Sequence, residues 1–119
     1  MKEFMLIFRA NIQSEEDFAK FSPEAMQQEL ALWGVWMGSI AQQGKMISGH
    51  PLQSHGKVLR GTAKKLTDGP FMESKEIVGG YLLIKATDEH DALEMAKGCP
   101  SLRTDDGTVE VREIMPAVA

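Results

Sequence analysis

The sequence predicts an α+β protein, a ferredoxin-like split βαβ sandwich with an extra β-hairpin and its helices on one face of the sheet. Three observations carry that expectation. Met26, Leu30, Trp33, Met37 and Ile40 recur at steps of four and three, a single apolar stripe that predicts one long amphipathic helix. Two short, nearly continuous apolar runs, at 4–8 and 81–84, predict buried strands. The elements then follow in the order strand, long helix, strand or strand pair, strand, helix, strand.

Taken in order, residues 3–9 are rich in Phe, Leu and Ile with little alternation, which suits a strand buried on both faces. Ser14, Glu15, Glu16 and Asp17 suit a short helical turn with acidic residues at its positive end. Ser22 is a good N-cap for the long helix, and Pro23 stands at the first helical position, where a missing N–H costs nothing. Gly44 suits a left-handed cap at its other end. Residues 45–49 read as a short strand, 51–56 as a loop, and 57–66 as strand material bent at Gly61. Residues 80–86 form another apolar strand. Asp88 caps a second helix with Glu89 and Asp91 in its first turn, and Ala92, Leu93 and Ala96 are assigned to the core. Gly98 stops that helix and Pro100 bars its continuation. Residues 108–115 alternate Val109 and Val111 with Glu110 and Arg112, a last strand.

Length and charge narrow the function classes. With 119 residues and 13.2 kDa, the chain reads as one domain over 1–119. A net charge of −4 without a basic run argues against nucleic-acid binding, which needs clustered Lys and Arg. Lys64 and Lys65 are the only adjacent basic pair and suit a solvated hairpin. An RNA-binding ferredoxin-like domain needs stacking aromatics on its central strands, and residues 80–85 offer only Tyr81. No stretch approaches the ~20 apolar residues of a membrane span. The N-terminal apolar run is short and lacks a cleavage site, and one cysteine forms no internal disulfide, so the expected location is the cytoplasm.

Several residues are chemically suggestive. His50 and His55 share one loop, but a metal needs further ligands and no spacing motif supplies them, so neither a metal nor a cofactor is expected. His90 reads as a surface residue. Cys99 follows a helix C-terminus, whose partial negative charge raises a thiol pKa, so it reads as a packed loop residue. Asp68, beside Gly69, has a bland role as a turn-former bonding its own backbone. Its functional role is a carboxylate of raised pKa in a pocket, acting as acid or base. Glu73, Lys75 and Glu76 flank it as an ordinary charge cluster or as part of the same site. Trp36 lies off the core stripe and is a candidate for the pocket wall or a partner contact, with core packing the plainer role. Two helices cover only one face of such a sheet. The bare face is an expected interface, hence a homodimer.

The string Thr67-Asp68-Gly69-Pro70-Phe71-Met72-Glu73-Ser74-Lys75-Glu76-Ile77-Val78-Gly79-Gly80-Tyr81 is more specific than its turn chemistry requires. Gly49-His50-Pro51-Leu52 with Gly56-Lys57-Val58 precedes it, and Lys97-Gly98-Cys99-Pro100-Ser101-Leu102 with Val109-Glu110-Val111-Arg112 follows. Together they resemble the DGPF branch of the YCII-related proteins, from about Pro23 to the C-terminus. The resemblance implies a two-chain α+β barrel formed by packing sheets together. It also points to a histidine on the first long helix and an aspartate before a proline after the second as an acid–base pair. Those positions fall here near Leu32 or Trp33 and on Cys99-Pro100, so neither group is present.

Two readings of function follow. In one, a small-molecule enzyme or binder uses a pocket near the dimer interface, with His50 and Asp68 as catalytic candidates, Arg9, His50 and Asp68 as polar ligand contacts, and Trp36 as wall. In the other, the protein is a non-catalytic accessory or sensor module, because DGPF-type proteins resemble domains found beside sigma factors. Phe71 is the expected apolar anchor positioned by the Gly69-Pro70 turn.

Overall fold

The two apolar runs become the central strands of one sheet. In the computed structural model, which describes residues 1–10, 22–53, 55–69 and 77–116, β1 (Lys2–Ala10) pairs antiparallel with β5 (Ile77–Ala86). Phe4 lies opposite Ile84 and Leu6 opposite Leu82. The outer strands β2 (Met46–Pro51) and β6 (Thr108–Glu113) complete the antiparallel order β2-β5-β1-β6. A long helix α1 (Pro23–Gln42) and a short helix α2 (Glu89–Ala96) connect these strands. The result is an α+β fold with a mostly antiparallel sheet, consistent with a ferredoxin-like arrangement.

Alternation decides which side of the sheet is buried. Phe4, Leu6 and Phe8 on β1, with Leu82, Ile84 and Ala86 on β5, are buried under the helices. Met5, Ile7, Tyr81 and Leu83 point the other way and are only half-buried. The expectation that residues 3–9 are buried on both faces therefore fails within this chain, because both helices lie on the same side.

The helices begin and end as their sequences dictate. The Ser22 hydroxyl accepts the N–H of Ala25 at 3.1 Å, with Pro23 next in line. At the far end Gly44 adopts φ +70°, its N–H donating to the carbonyl of Ala41 at 2.9 Å and that of Lys45 to Ile40 at 3.3 Å. That is a Schellman cap, and only glycine enters it without strain. Asp88 caps α2 by accepting the N–H of Asp91 at 2.8 Å. Asp91 in turn accepts the N–H of Thr87 at 3.0 Å and the ammonium of Lys45 at 3.1 Å. The Thr87 bond, with Lys45 beside it, holds the Asp91 carboxyl below the usual carboxylate range. This ties α2 to the entry of β2.

The stripe on α1 needs one correction. Trp36 and Ile40 are buried, Trp33 and Met37 pack against them, and Leu30 is 63 % exposed. At about 100° per residue Leu30 lies at one edge of the stripe and Trp36 beyond the other, so the helix is rolled toward Trp36 and turns Leu30 out to solvent. Leu93, assigned to the core from its neighbours, is 41 % exposed, and α2 buries only Ala92 and Ala96. A helix of eight residues with a polar outer face presents a narrow contact to the sheet.

Residues 57–66 do not form one bent strand. β3 (Gly56–Arg60) and β4 (Lys65–Gly69) pair antiparallel as a separate two-stranded sheet, joined by a turn over 61–64 in which Gly61 and Lys64 take positive φ. The reversal between these two strands lies over 61–64, and Asp68 and Gly69 are the last residues of β4. β2 also runs on to Pro51, which places His50 on a strand and not in a loop. The turn expected over 14–17, the Phe71 anchor and the Glu73–Glu76 cluster lie outside the described residues.

Candidate functional site

The sheet face turned away from the helices is the candidate site. Strand register lines up His50 on β2, Tyr81 on β5, Ile7 on β1 and Glu110 on β6 as a row of directly opposed residues. The next row is Ser48, Leu83, Met5 and Arg112. Directly opposed side chains on one face are in contact range. An apolar centre of Met5, Ile7 and Leu83 is thereby bordered by an imidazole and a phenol on one side and by charged groups on the other.

Each border has its own cause. His50 and Tyr81 meet edge to face, ring centroids 5.9 Å apart. The backbones behind them come unusually close. A Cβ on Gly49 would lie 2.9 Å from the carbonyl oxygen of Tyr81, and one on Gly80 would lie 3.0 Å from that of His50. Gly49 opposite Leu82 and Gly80 opposite Pro51, one on each strand, let β2 seat against β5 and carry His50 over Tyr81. On the other side Arg9 Nη1 donates to Glu110 Oε1 at 2.6 Å, across the diagonal of the β1–β6 ladder. Arg112 Nε stands 3.6 Å from the other carboxylate oxygen of Glu110, so Glu110 is shared between two guanidinium groups. The Arg9 pair is partly buried, which makes it a stronger fixture than an ordinary surface pair.

On the covered side of the sheet, Phe8, Trp33 and Trp36 form a closed aromatic triangle, with ring centroids 5.0, 5.7 and 5.7 Å apart. Trp33 Nε1 donates to Glu29 Oε1 at 3.1 Å, and Arg103 binds both oxygens of Glu29 while its Nε donates to the Pro100 carbonyl at 2.7 Å. That clamp joins α1 to the 3-10 turn Pro100–Arg103.

A family model for the YCII-related domain matches residues 4–118. The chain belongs to the YCII-related family. No curated protein matches it. In this YCII-related chain, the positions that the resemblance equates with an acid–base pair hold no acid or base. Leu32 is exposed, Trp33 stacks in the aromatic triangle and Cys99 is buried. The carboxylate nearest them in the hydrogen-bond network, Glu29, is already engaged by Trp33 and Arg103.

The residues singled out from the sequence separate into three places. His50 and Arg9 share the open face. Trp36 does not line it: the side chain is buried in the core, and its indole N–H donates to the carbonyl of Met95 at 2.9 Å. The helix rotates Trp36 inward because Trp33, Trp36 and Ile40 together define the buried face. Asp68 lies on the other, two-stranded sheet, exposed and ion-paired with Lys57, its cross-strand partner. The residues beyond Gly69 that a turn led by Asp68 would need lie outside the described residues. The Lys57 ammonium also holds the Asp68 carboxyl below the usual range, opposite to the raised value that acid–base work in a pocket requires. Cys99 is buried, and loss of solvent pushes its thiol up, with Ser101 Oγ 3.1 Å away. Among the described residues, no three His, Cys, Asp or Glu side chains converge on a metal position, and no helix is long and apolar enough to cross a membrane.

Tyr81 and Glu110 were not singled out from the sequence. Glu110 lies 101 positions from Arg9, and only the strand pairing brings the two together. Tyr81 carried a usable signal, a lone polar aromatic inside an apolar strand.

Proposed function

We propose that this protein works in the cytoplasm as a homodimer, an α+β barrel of two ferredoxin-like subunits in the DGPF branch, each extended by the β3–β4 hairpin. In this reading the open sheet faces pack toward one another and enclose a small molecule with an apolar body and a polar or acidic group. One observation carries it: the row His50, Tyr81, Ile7, Glu110 puts hydrogen-bonding groups at both borders of a half-buried apolar surface. Ligand sites have that composition, mostly apolar with few directing polar groups. Arg9 and His50 are the ligand contacts. If the protein is an enzyme, His50 is its proton-transfer group, an imidazole at the border of the apolar row. Asp68 joins the site only from the hairpin of the other subunit.

Light scattering over a hundredfold dilution, combined with a thermal-shift screen of metabolites, tests the proposal. The expected mass is twice 13.2 kDa. Ligands that raise the melting temperature are expected to lose their effect in His50→Ala, with the circular dichroism of the variant unchanged. A monomer at every concentration overturns the dimer. A dimer that no ligand shifts favours the non-catalytic accessory module instead.

A further inference from the structure

The open face of the sheet carries a charge opposite in sign to that of the chain. Among the described residues, alternation and register put five charged groups on it. Glu3 and Lys85 stand directly opposite one another and cancel. Arg9, Glu110 and Arg112 lie together at the β1–β6 border. Two guanidiniums against one carboxylate leave that border at +1, in a chain of net charge −4. Lys2 and Glu113, their neighbours on the same two strands, alternate to the helix side and pair with each other at 3.5 Å.

The positive charge has a fixed place. The Arg9 side chain is 27 % exposed and donates from Nη1 to Glu110, while the Arg112 side chain, 71 % exposed, stands at the other carboxylate oxygen. A guanidinium carries five N–H donors in a planar fork, and the bond to Glu110 engages one of those on Arg9. Glu110 thus holds two forks side by side and cancels one of their two charges. Two uncompensated arginines would favour a dianion. This triad favours a single carboxylate, which meets one net charge and a fork of matching shape. Across the face, His50 and Tyr81 supply an imidazole and a phenol, groups that hydrogen-bond a neutral hydroxyl or carbonyl. Between the borders Met5, Ile7 and Leu83 lie on two strands about 4.8 Å apart, a width of one ring.

We propose that the open face takes a monocarboxylic acid whose apolar body is about one ring wide, and that Glu110 sets its preference for one negative charge over two. The carboxylate lies against Arg9 and Arg112, and a hydroxyl or carbonyl at the far end of the ligand meets His50 and Tyr81. The inference rests on the sheet-face site proposed above and names the class of molecule that it takes.

Calorimetry on the full-length protein at pH 8 tests it with benzoate, phenylacetate and 4-hydroxyphenylacetate, each beside its neutral amide, and with the dianion phenylmalonate. The wild-type chain is expected to bind at least one of these acids at least tenfold more tightly than its amide and than phenylmalonate. Arg112→Gln brings the border to zero charge and is expected to bring acid and amide within about threefold of each other. Glu110→Gln raises the border to +2 and is expected to improve phenylmalonate relative to phenylacetate at least tenfold. Both substitutions fall on an outer strand at partly or fully exposed side chains, so circular dichroism and amide affinity are expected to stay at their wild-type values. Equal affinity for acid and amide in the wild-type chain overturns the proposal, as does a phenylmalonate preference that Glu110→Gln leaves unmoved. If no acid binds but a neutral metabolite stabilises the protein through His50, the acid class falls and the sheet-face site stands. If no ligand of any charge binds, both fall.

Discussion

The indole N–H of Trp36 donates to the carbonyl oxygen of Met95 at 2.9 Å, so the middle of the long helix is hydrogen-bonded through the core to the end of the short one. A tryptophan with this bond serves two purposes: it fills the space between Phe8 and Trp33, and it satisfies a backbone acceptor. Trp36→Phe keeps most of the volume and removes the donor. A loss of about 1–3 kcal/mol is expected, from leaving a carbonyl unpaired. Trp36→Ala is expected to cost about 3–5 kcal/mol by opening a cavity. Urea midpoints measure both, and an unchanged midpoint for Trp36→Phe would show that water replaces the lost donor.

Gly80 tests the close approach that seats His50. A Cβ there would lie 3.0 Å from the carbonyl oxygen of His50 and 3.2 Å from Pro51 Cα. Backbone atoms yield less than side-chain ends, so Gly80→Ala is expected to destabilise by about 1–3 kcal/mol and to loosen β2. Gly38 is the control. It lies within α1 with nothing within 4 Å of a built Cβ, so Gly38→Ala is expected to stabilise by roughly 0.5–1 kcal/mol. Chemical denaturation of both variants, with hydrogen exchange across β2, distinguishes the two effects.

Cys99 gives the chain a pH dependence on the alkaline side. Burial favours the neutral thiol and raises its pKa above the ordinary 9.0. The unfolded thiol therefore loses its proton first. The contribution of Cys99 to stability is complete below that ordinary value and is lost as pH rises through the folded pKa. Wild-type stability is expected to decline above about pH 9, where the unfolded thiol ionises, and Cys99→Ala is expected to flatten that decline. Thiol titration supplies the second reading: a disulfide reagent at pH 8 is expected to react slowly with the native chain and at once in denaturant. Fast native reaction would contradict the burial.

Much of the fold is legible because its signals are local. Ser22, Pro23, Gly44, Asp88 and Pro100 act on backbone groups within four residues of themselves, and each stands where its chemistry requires. The apolar runs are equally readable as strands, since a strand rich in Phe, Leu and Ile is stable only in a sheet. The candidate site was less legible. His50 and Arg9 are legible as polar groups beside apolar runs, but nothing local shows that Asp68 stands across a strand pair from Lys57. The reversal over 61–64 makes that pair.

Propensity and capping are properties of short stretches, and they sufficed for the helices, the central strands and an α+β class. Register and rotation are properties of how stretches meet. Whether Trp36 faces the core depends on where α1 rolls against Phe8, a choice made by the packing of three rings. Whether Arg9 reaches Glu110 depends on a ladder between strands at opposite ends of the chain, where a slip of one residue would turn Glu110 to the other face. No local signal carries that information, because the energy that selects the register comes from burying Phe4, Leu6 and Phe8 with Val109 and Val111 on the same side.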